Sequence, residues 1–227
     1  EKGSEPNRLV AAFADYLACE TGDPYAGWYA GECRELLRRD YELRLYRMCT
    51  EQDYNTAFPA GADKMVWYKD AGEVAMHSAP EDVEKDLALS FGSGSHTTAS
   101  QNAFNLLYKG VDVYRSTGYY QNFSDAHNLM SYRHTRAHNS LLVNGIGQPY
   151  STEGYGSVMR AMGGQHISYC LGDASHAYRG ISNDPMWVDY FKQAGIEQTP
   201  ENGFGVTPLT KYRRHVLMLH PHTVIVY

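Results

Sequence analysis

Two segments, GSGSHTTASQNAF (residues 92–104) and RAHNSLLVNG (residues 136–145), decide how this chain is interpreted. Each one places a histidine, His96 or His138, among small polar residues at the beginning of an apolar run. Apolar runs of this length, bounded by Gly and Asn, are typical of β-strands, and polar residues at a strand end can line a cleft while the strand holds them in place. The two segments therefore predict a β-rich domain with a polar site at its strand ends.

Short strand-like runs continue on both sides of these segments. Gly, Pro, Asp and Asn separate the runs at intervals of roughly 8–12 residues, which are typical of an antiparallel β-sandwich. The sequence Tyr108-Lys109-Gly110-Val111 predicts a tight hairpin. Residues 182–210 have few strand signals, so a long structured loop is expected there. The predicted strands are residues 65–68, 74–77, 87–91, 103–108, 111–114, 140–143, 166–171, 214–220 and 223–227.

Helical periodicity characterises the first part of the sequence instead. Residues 7–20 have apolar side chains at helical spacing behind Asn7, a favourable N-cap, and the TGDP sequence that follows ends this helix. Residues 28–49 predict a second helix. Two helices cannot enclose a core by themselves. We therefore expect residues 1–55 to be the end of a helical domain and residues 56–227 to be a sandwich that is truncated at its C terminus.

Composition argues against several classes of protein. A net charge of −6 and a pI of about 5.9 disfavour general nucleic-acid binding, which requires a basic face. The apolar runs are all shorter than the ~18 residues that cross a membrane, so no membrane partner is expected. The four cysteines have no CxxC spacing, and the redox compartment stays open. The 19 tyrosines suit a sugar-binding cleft, although tyrosine is also a good strand residue.

Motifs of the commoner enzyme classes do not occur in the sequence. It has no Gly-rich phosphate loop and no HExxH signature of zinc proteases. Gly92-Ser93-Gly94-Ser95 lacks the spacing of the GxSxG nucleophile elbow of esterases. Kinase, esterase and zinc-protease functions are therefore not indicated.

Histidines are the most reactive side chains in the two segments. A loop rich in Gly and Ser would let His96 point into a cleft, where an imidazole can transfer protons near neutral pH. An exposed histidine without a role is the alternative. His138 could hold a metal, donate to a carbonyl or bind substrate. Residues 127–138 contain three histidines and two arginines, a basic patch suited to a carboxylate or sulfate unless it is a solvated loop.

Eight short segments follow one another in a specific order. They are Phe58-Pro59, Val74-Ala75-Met76, GSGSH at 92–96, QNAF at 101–104, Gly118-Tyr119-Tyr120, RAHN with LVNG between 136 and 145, Gly172-Asp173-Ala174 and RRHV at 213–216. This ordered set resembles the β-sandwich domain of the heparinase II/III-like polysaccharide lyases. It covers about three-quarters of the chain, from residue 58 to residue 227.

The resemblance implies an α/α toroid joined to the sandwich, and cleavage of a uronic-acid polysaccharide, a glycosaminoglycan or alginate, by β-elimination. It implies that His96 is catalytic, that further catalytic residues precede residue 1, and that no cofactor takes part. An acidic polysaccharide is the expected partner, in a periplasmic or secreted location. The alternative is a non-catalytic module that binds acidic glycan. The residues expected to contact substrate are Asn102, Tyr119, Tyr120, Arg136 and His138.

The sequence departs from the family at a zinc site. Many members have a second histidine and an aspartate where this chain has Thr98 and Ser116, and only His138 is kept. One ligand cannot hold a structural zinc ion. We therefore predict a metal-free site in which Thr98, Ser116 and His138 are hydrogen-bonded instead.

Overall fold

The chain divides into two compact units, Glu1–Ala62 and Asp63–Tyr227. The computed structural model describes residues 7–39, 57–92, 98–118, 121–151 and 153–227. The predicted domain boundary between residues 55 and 56 lies outside these ranges. Within them, no helix combines the length and the apolar character that crossing a membrane requires.

The described part of the first unit contains three helices, α1 at Arg8–Thr21, α2 at Pro24–Glu32 and α3 at Arg34–Arg39. The Asn7 side chain accepts a hydrogen bond from the Leu9 N–H at 2.9 Å, which confirms the predicted N-cap. The first helix also ends in the predicted TGDP sequence. These helices do not by themselves form a toroid, and that part of the expected architecture stays a prediction.

The second predicted helix begins earlier than expected and is interrupted. Asp23 accepts hydrogen bonds from the N–H groups of Tyr25 and Ala26, and Pro24 occupies the first turn, so α2 begins at residue 24 rather than 28. Cys33 separates α2 from α3. The remainder of the predicted helix falls on residues outside the described ranges.

Five antiparallel strands form the first sheet of the second unit, in the order β1-β2-β3-β4-β5. The sequence predicts all five. Lys109 and Gly110, between β4 and β5, both have positive φ, as a two-residue hairpin requires, and this confirms the predicted hairpin. The strand bounds are Met65–Tyr68, Glu73–His77, Leu87–Gly92, Ala103–Tyr108 and Val111–Tyr114.

Four antiparallel strands form the second sheet, in the order β11-β10-β7-β6. A two-stranded ribbon of β8 and β9 accompanies it. The sequence predicts β7, β10 and β11 but misses β6, whose run SVMRAM contains one β-branched residue and buries only Val158. From β6 to β11 the bounds are Ser157–Met162, Ile167–Asp173, Arg179–Gly180, Gly205–Val206, Arg213–Leu219 and Thr223–Val226.

The two sheets enclose one apolar core, so the second unit is the predicted antiparallel β-sandwich. Burial alternates along β2 and β3, because successive side chains of a strand point to opposite faces of the sheet. Each fully buried aliphatic or aromatic side chain stabilises the sandwich by roughly 1.5–3 kcal/mol. The buried residues of this core are Val74, Met76, Leu87, Leu89, Phe91, Val158, Cys170, Val216 and Met218.

The strand predicted at residues 140–143 is wrong. The two leucines of this run are exposed, and Val143 forms only an isolated bridge, to Ile146. Asn144 and Gly145 have positive φ and turn the chain at once. An apolar run before Asn-Gly gives the same signal whether or not a neighbouring strand is available to pair with it.

The long loop predicted at residues 182–210 is wrong in part, because it contains α4 at Pro185–Ala194. Asp184 caps the start of α4, and Gly195 ends it in the left-handed conformation. The helix packs into a second apolar cluster beside the sandwich. The buried members of that cluster are Ala99, Leu129, Tyr150, Trp187, Phe191 and Phe204.

Candidate functional site

A polar cavity of about 310 Å³ opens at the end of β3, and we call it the β3 cavity. Phe91, Gly92 and Ala103 provide the apolar and backbone part of its lining. Small ligands bind most readily in concave sites that combine apolar surface with a few well-placed polar groups. The polar side chains that line it are Glu73, Ser90, Thr98, Ser100, Asn105, Ser116 and His138.

The register of β2, β3 and β4 determines which residues form the floor of the cavity. Gly92 is opposite Glu73 on β2 and opposite Ala103 on β4. Two residues earlier along β3, Ser90 is opposite Asn105. Because side chains alternate along a strand, Ser90 and Asn105 lie on the face of the first sheet opposite to the core. The cavity therefore uses the outer face of a rigid sheet as its base.

Hydrogen bonds connect the walls of the cavity to this base. The Asn105 Nδ2 donates to Ser90 Oγ at 3.2 Å, and Asn105 Oδ1 accepts the Ser116 N–H at 2.7 Å. The hydroxyls of Thr98 and Ser100 are 2.8 Å apart. Thr98 and Ser116 are thus hydrogen-bonded as predicted, the first through its hydroxyl and the second through its backbone.

His138 departs from that prediction. Both of its ring nitrogens are shielded from solvent, and neither makes a hydrogen bond of normal geometry with a described residue. Burial lowers the pKa of His138, and the nearby Arg133 lowers it further, while the backbone of Tyr132 raises it by a smaller amount than burial removes. The imidazole is therefore neutral at pH 7 and has one donor and one acceptor to offer.

His134 is fully buried and forms part of a different arrangement. Its Nε2 is 3.0 Å from the Gly203 carbonyl, and its Nδ1 accepts from the N–H and the Nε of Arg136 at 3.2 and 3.1 Å. Because a carbonyl only accepts, Nε2 carries the proton of a neutral ring. Burial lowers the pKa of His134 to about 4, and Arg136 acts in the same direction.

Arg136 is exposed, but its guanidinium is already engaged. Besides His134, it donates to the Asn202 carbonyl at 3.0 Å. Gly203 leaves room for this contact, since a Cβ there would lie 2.4 Å from Arg136 Nη2. Arg136 therefore stabilises the turn at residues 202–203, and its predicted contact with substrate stays a prediction.

Asn102 does not reach the β3 cavity. Its side chain is fully buried, in a residue with positive φ, and neither side-chain polar atom makes a hydrogen bond with a described residue. It packs against Gly172, which has no side chain. A Cβ on Gly172 would lie 2.1 Å from Asn102 Oδ1 and 2.4 Å from the Phe91 ring. A sugar could contact the Asn102 side chain only if these surroundings moved.

Gln148 is the most connected buried polar residue near the site, and sequence reasoning missed it. Its Oε1 accepts the Gln101 N–H at 2.8 Å, while its Nε2 donates to the Gln101 carbonyl, Ser140 Oγ and Tyr178 OH at 3.1, 3.3 and 3.3 Å. Its own N–H donates to Thr135 Oγ1 at 2.8 Å. Gln148 therefore joins the segments on both sides of the cavity. A lone glutamine in a loop gives no sequence signal of this role.

Arg214 makes a second connection that the sequence left without a role. Its Nη1 donates to the carbonyls of Asn102 and Asn139 at 2.5 and 2.6 Å. The Asn139 side chain donates to the Phe104 carbonyl at 2.9 Å. The two residues of the HN pair in the second segment therefore differ in role. Asn139 is bonded to the start of β4, and His138 lines the cavity.

Three predicted site residues, His96, Tyr119 and Tyr120, lie outside the described residues. Gly92 and Thr98, on either side of the GSGSH loop, both line the β3 cavity. Gly118, which precedes the tyrosine pair, has a φ of +104° and lies under the Tyr132 ring. The predicted roles of the three residues stay predictions.

Residues 66–218 match the family described as Heparinase II/III-like, C-terminal. The chain belongs to this family. The match spans the sandwich from β1 to β10, and it includes every described residue that lines the β3 cavity. No curated protein matches the chain.

Solved structures with the same fold include heparinases. A heparinase III, the BT4657 gene product with methylated lysines, has a TM-score of 0.53 and 11% identity over 90% of this chain and 27% of that one. A second heparinase III has a TM-score of 0.51 and 11% identity over 85% of this chain and 28% of that one. Heparan sulfate lyase HepC from Pedobacter heparinus has a TM-score of 0.50 and 13% identity over 90% of this chain and 27% of that one. At these identities the likeness is one of fold, and this chain spans little more than a quarter of each of them.

The heparinase II/III-like zinc site does not fit the residues of this chain. Thr98, Ser116 and His138, which occupy its positions, do come together in the β3 cavity. Only His138 offers a ligand that zinc prefers. No group of three or more His, Cys, Asp or Glu side chains is found in the described part of the chain. The metal-free site stays a prediction, with a test given below.

Proposed function

We propose that this chain is the sandwich part of a polysaccharide lyase that cleaves uronic-acid-containing polysaccharide by β-elimination. The match of residues 66–218 to the heparinase II/III-like family carries the proposal. The chemistry removes the proton at C5 of a uronate and expels the oxygen at C4. It requires a base, an acid and neutralisation of the uronate carboxylate.

His96 is the proposed catalytic residue of this chain. An imidazole with an ordinary pKa can both accept and donate a proton near neutral pH. His96 precedes Thr98 by two residues, and two residues span at most about 7 Å of chain. Its position in the sequence therefore connects it to the wall of the β3 cavity.

The proposed substrate is an acidic polysaccharide, a glycosaminoglycan or alginate. Two of the structures with this fold are named heparinase III and one is named heparan sulfate lyase. Tyr119, Tyr120, Arg136 and His138 are the proposed substrate contacts, and catalytic groups of a toroid would complete the site. The proposed location is periplasmic or secreted, where such polymers occur.

A non-catalytic module that binds acidic glycan is the second candidate. Two of the three family positions at the zinc site are substituted in this chain, by Thr98 and Ser116, and lost ligands also occur in proteins that have lost activity. Such a module would keep the polar sandwich cavity and bind the same polymer without producing unsaturated ends.

Absorbance of the unsaturated uronate product tests the proposal. The full-length protein that contains this chain would be assayed on alginate, heparan sulfate, chondroitin sulfate and hyaluronan, beside His96→Ala and the control His166→Ala, whose side chain is exposed. We expect absorbance with one polymer for the wild type and the control, and at least a hundredfold slower rise for His96→Ala. Calorimetric binding without absorbance would favour the binding module. The absence of both absorbance and binding with all four polymers would overturn the proposal.

A further inference from the structure

We propose that the β3 cavity binds one uncharged sugar ring of a glycan. The inference rests on the proposed function for the class of ligand, a glycan. It goes further by assigning the cavity to a neutral sugar rather than to the uronate at which the chain would be cut. The charge, the hydrogen-bonding groups and the size of the cavity carry it.

The charge of the lining disfavours an anion. Glu73 brings a carboxylate to the rim, and no lysine or arginine is among the described residues that line the cavity. A uronate or sulfate group in the cavity would therefore face a carboxylate without a compensating lysine or arginine from this lining. A neutral sugar meets no such repulsion, and its hydroxyls can donate to the Glu73 carboxylate.

The hydrogen-bonding groups of the lining match sugar hydroxyls. Four side chains of the lining carry a hydroxyl, which can donate as well as accept, and Asn105 on the floor donates to one of them, Ser90 Oγ. His138 also belongs to the lining, with both of its ring nitrogens shielded from solvent. The four hydroxyl residues are Ser90, Thr98, Ser100 and Ser116.

The size and the apolar part of the cavity fit a single ring. Its volume of about 310 Å³ is at the lower end of the range for ligand pockets, roughly 300–1,000 Å³. Ala103, opposite Gly92 on the outer face of the first sheet, lines it beside the polar groups. A pyranose has an apolar face of C–H groups and a rim of hydroxyls, so one ring can satisfy both kinds of surface.

A matched pair of ligands tests the selection. Methyl glucoside and methyl glucuronide share one ring and differ at C6, which is a hydroxymethyl group in the first and a carboxylate in the second. Saturation-transfer NMR on the 227-residue chain at low ionic strength would measure the binding of both. We expect methyl glucoside to bind at least fivefold more tightly than methyl glucuronide.

Two variants locate the binding in the β3 cavity. Ser116→Val removes a hydroxyl and narrows the cavity, so it should lower the affinity for methyl glucoside at least fivefold. The control Ser157→Val, at an exposed position of β6, should not lower it.

Glu73→Gln removes the carboxylate, so it should bring the affinity for methyl glucuronide within twofold of that for methyl glucoside. The control Glu81→Gln, in an exposed turn, should leave the preference unchanged. Glu73 is exposed on β2, so its substitution keeps the test usable where Ser116→Val does not fold.

Equal binding of the two glycosides, binding of neither, or a preference that survives Glu73→Gln would each overturn the proposal. These outcomes are separate from the lyase assay. A full-length protein that produces unsaturated uronate while the chain binds neither glycoside would refute the cavity assignment alone. Methyl glucoside binding without unsaturated product on any polymer would refute the lyase alone.

Discussion

At the scale of single residues, burial lowers the pKa of two histidines that differ in their hydrogen bonds, His134 and His138. His134 has both ring nitrogens hydrogen-bonded and is enclosed by Gly203 and Phe204. His138 is shielded too, but it lines the β3 cavity without such bonds. Burial lowers the pKa of both. The first histidine is therefore a structural group, and the second lines the cavity with both ring nitrogens shielded from solvent.

Acid should destabilise the fold through His134. Its pKa is about 4 when folded against a reference value of 6.5, so the unfolded chain takes up a proton first as the pH falls. The stability from this group is complete above pH 6.5 and is lost progressively toward pH 4. We expect a loss of about 2 kcal/mol between pH 7 and pH 5, from about 1.4 kcal/mol per pKa unit. Urea unfolding at the two pH values measures it.

A comparison of variants isolates this contribution. His134→Gln should unfold with a dependence on pH that is weaker by about 2 kcal/mol over the same interval. His222→Gln, in the exposed turn between β10 and β11, should keep the wild-type dependence. An unchanged dependence in His134→Gln would show that other groups govern the acid response.

Substitution of Gly118 should destabilise the fold far more than substitution of Gly145, another glycine with positive φ. A Cβ at Gly118 would lie 1.7 Å from the Tyr132 ring, which His127 also contacts, whereas a Cβ at Gly145 meets nothing within 4 Å. We expect Gly118→Ala to lower the free energy of unfolding by about 3 kcal/mol or more, and Gly145→Ala by about 1 kcal/mol from backbone strain alone. Thermal or urea unfolding compares them, and equal losses would contradict the contact.

At the scale of elements, the site depends on loops that buried side chains tie together. Gln148 connects the segment before β4 with the segment that carries His138. Arg214 of β10 holds the same two segments through their carbonyls. Strand prediction located β3 and β4 because their alternation is local. It could not find these two connectors, because their partners are distant in sequence, up to 112 residues for Arg214.

Loss of the Gln148 side chain should loosen both segments together. Gln148→Ala leaves the buried Gln101 N–H without its bond and removes one of the two hydrogen bonds of Ser140 Oγ, and we expect a loss of about 2–4 kcal/mol in unfolding free energy. Gln165→Ala, an exposed glutamine, should change it by less than about 0.5 kcal/mol. Hydrogen exchange should also show faster exchange at Gln101 in the first variant. Protection equal to wild type there would contradict the connection.

At the scale of the whole molecule, the sandwich collects three positions that lie far apart in sequence. Thr98, Ser116 and His138 line one cavity, and two of them carry hydroxyls where the family resemblance implies zinc ligands. The fold therefore brings together the three positions at which the resemblance implies a metal site.

Restoring two ligands should restore metal binding. We expect the wild-type protein to contain no stoichiometric zinc, and Thr98→His with Ser116→Asp to gain it, because His, Asp and His138 together supply three ligands. Zinc analysis after gel filtration, and a rise in the midpoint of thermal unfolding on adding zinc, measure the gain. The Thr98→His single variant is the control, with two ligands. Stoichiometric zinc in the wild type would contradict the prediction of a metal-free site.

The sequence alone determined the sandwich, because alternation of polar and apolar residues and turn residues are local properties that identify most of the strands. It also determined the family, through an ordered set of short segments. Only the tertiary structure decided what individual side chains do. It placed Asn102 in the core, engaged Arg136 with a turn and left His138 facing a cavity. These outcomes depend on which distant groups meet, and burial and hydrogen bonding between distant segments leave no local pattern in the chain.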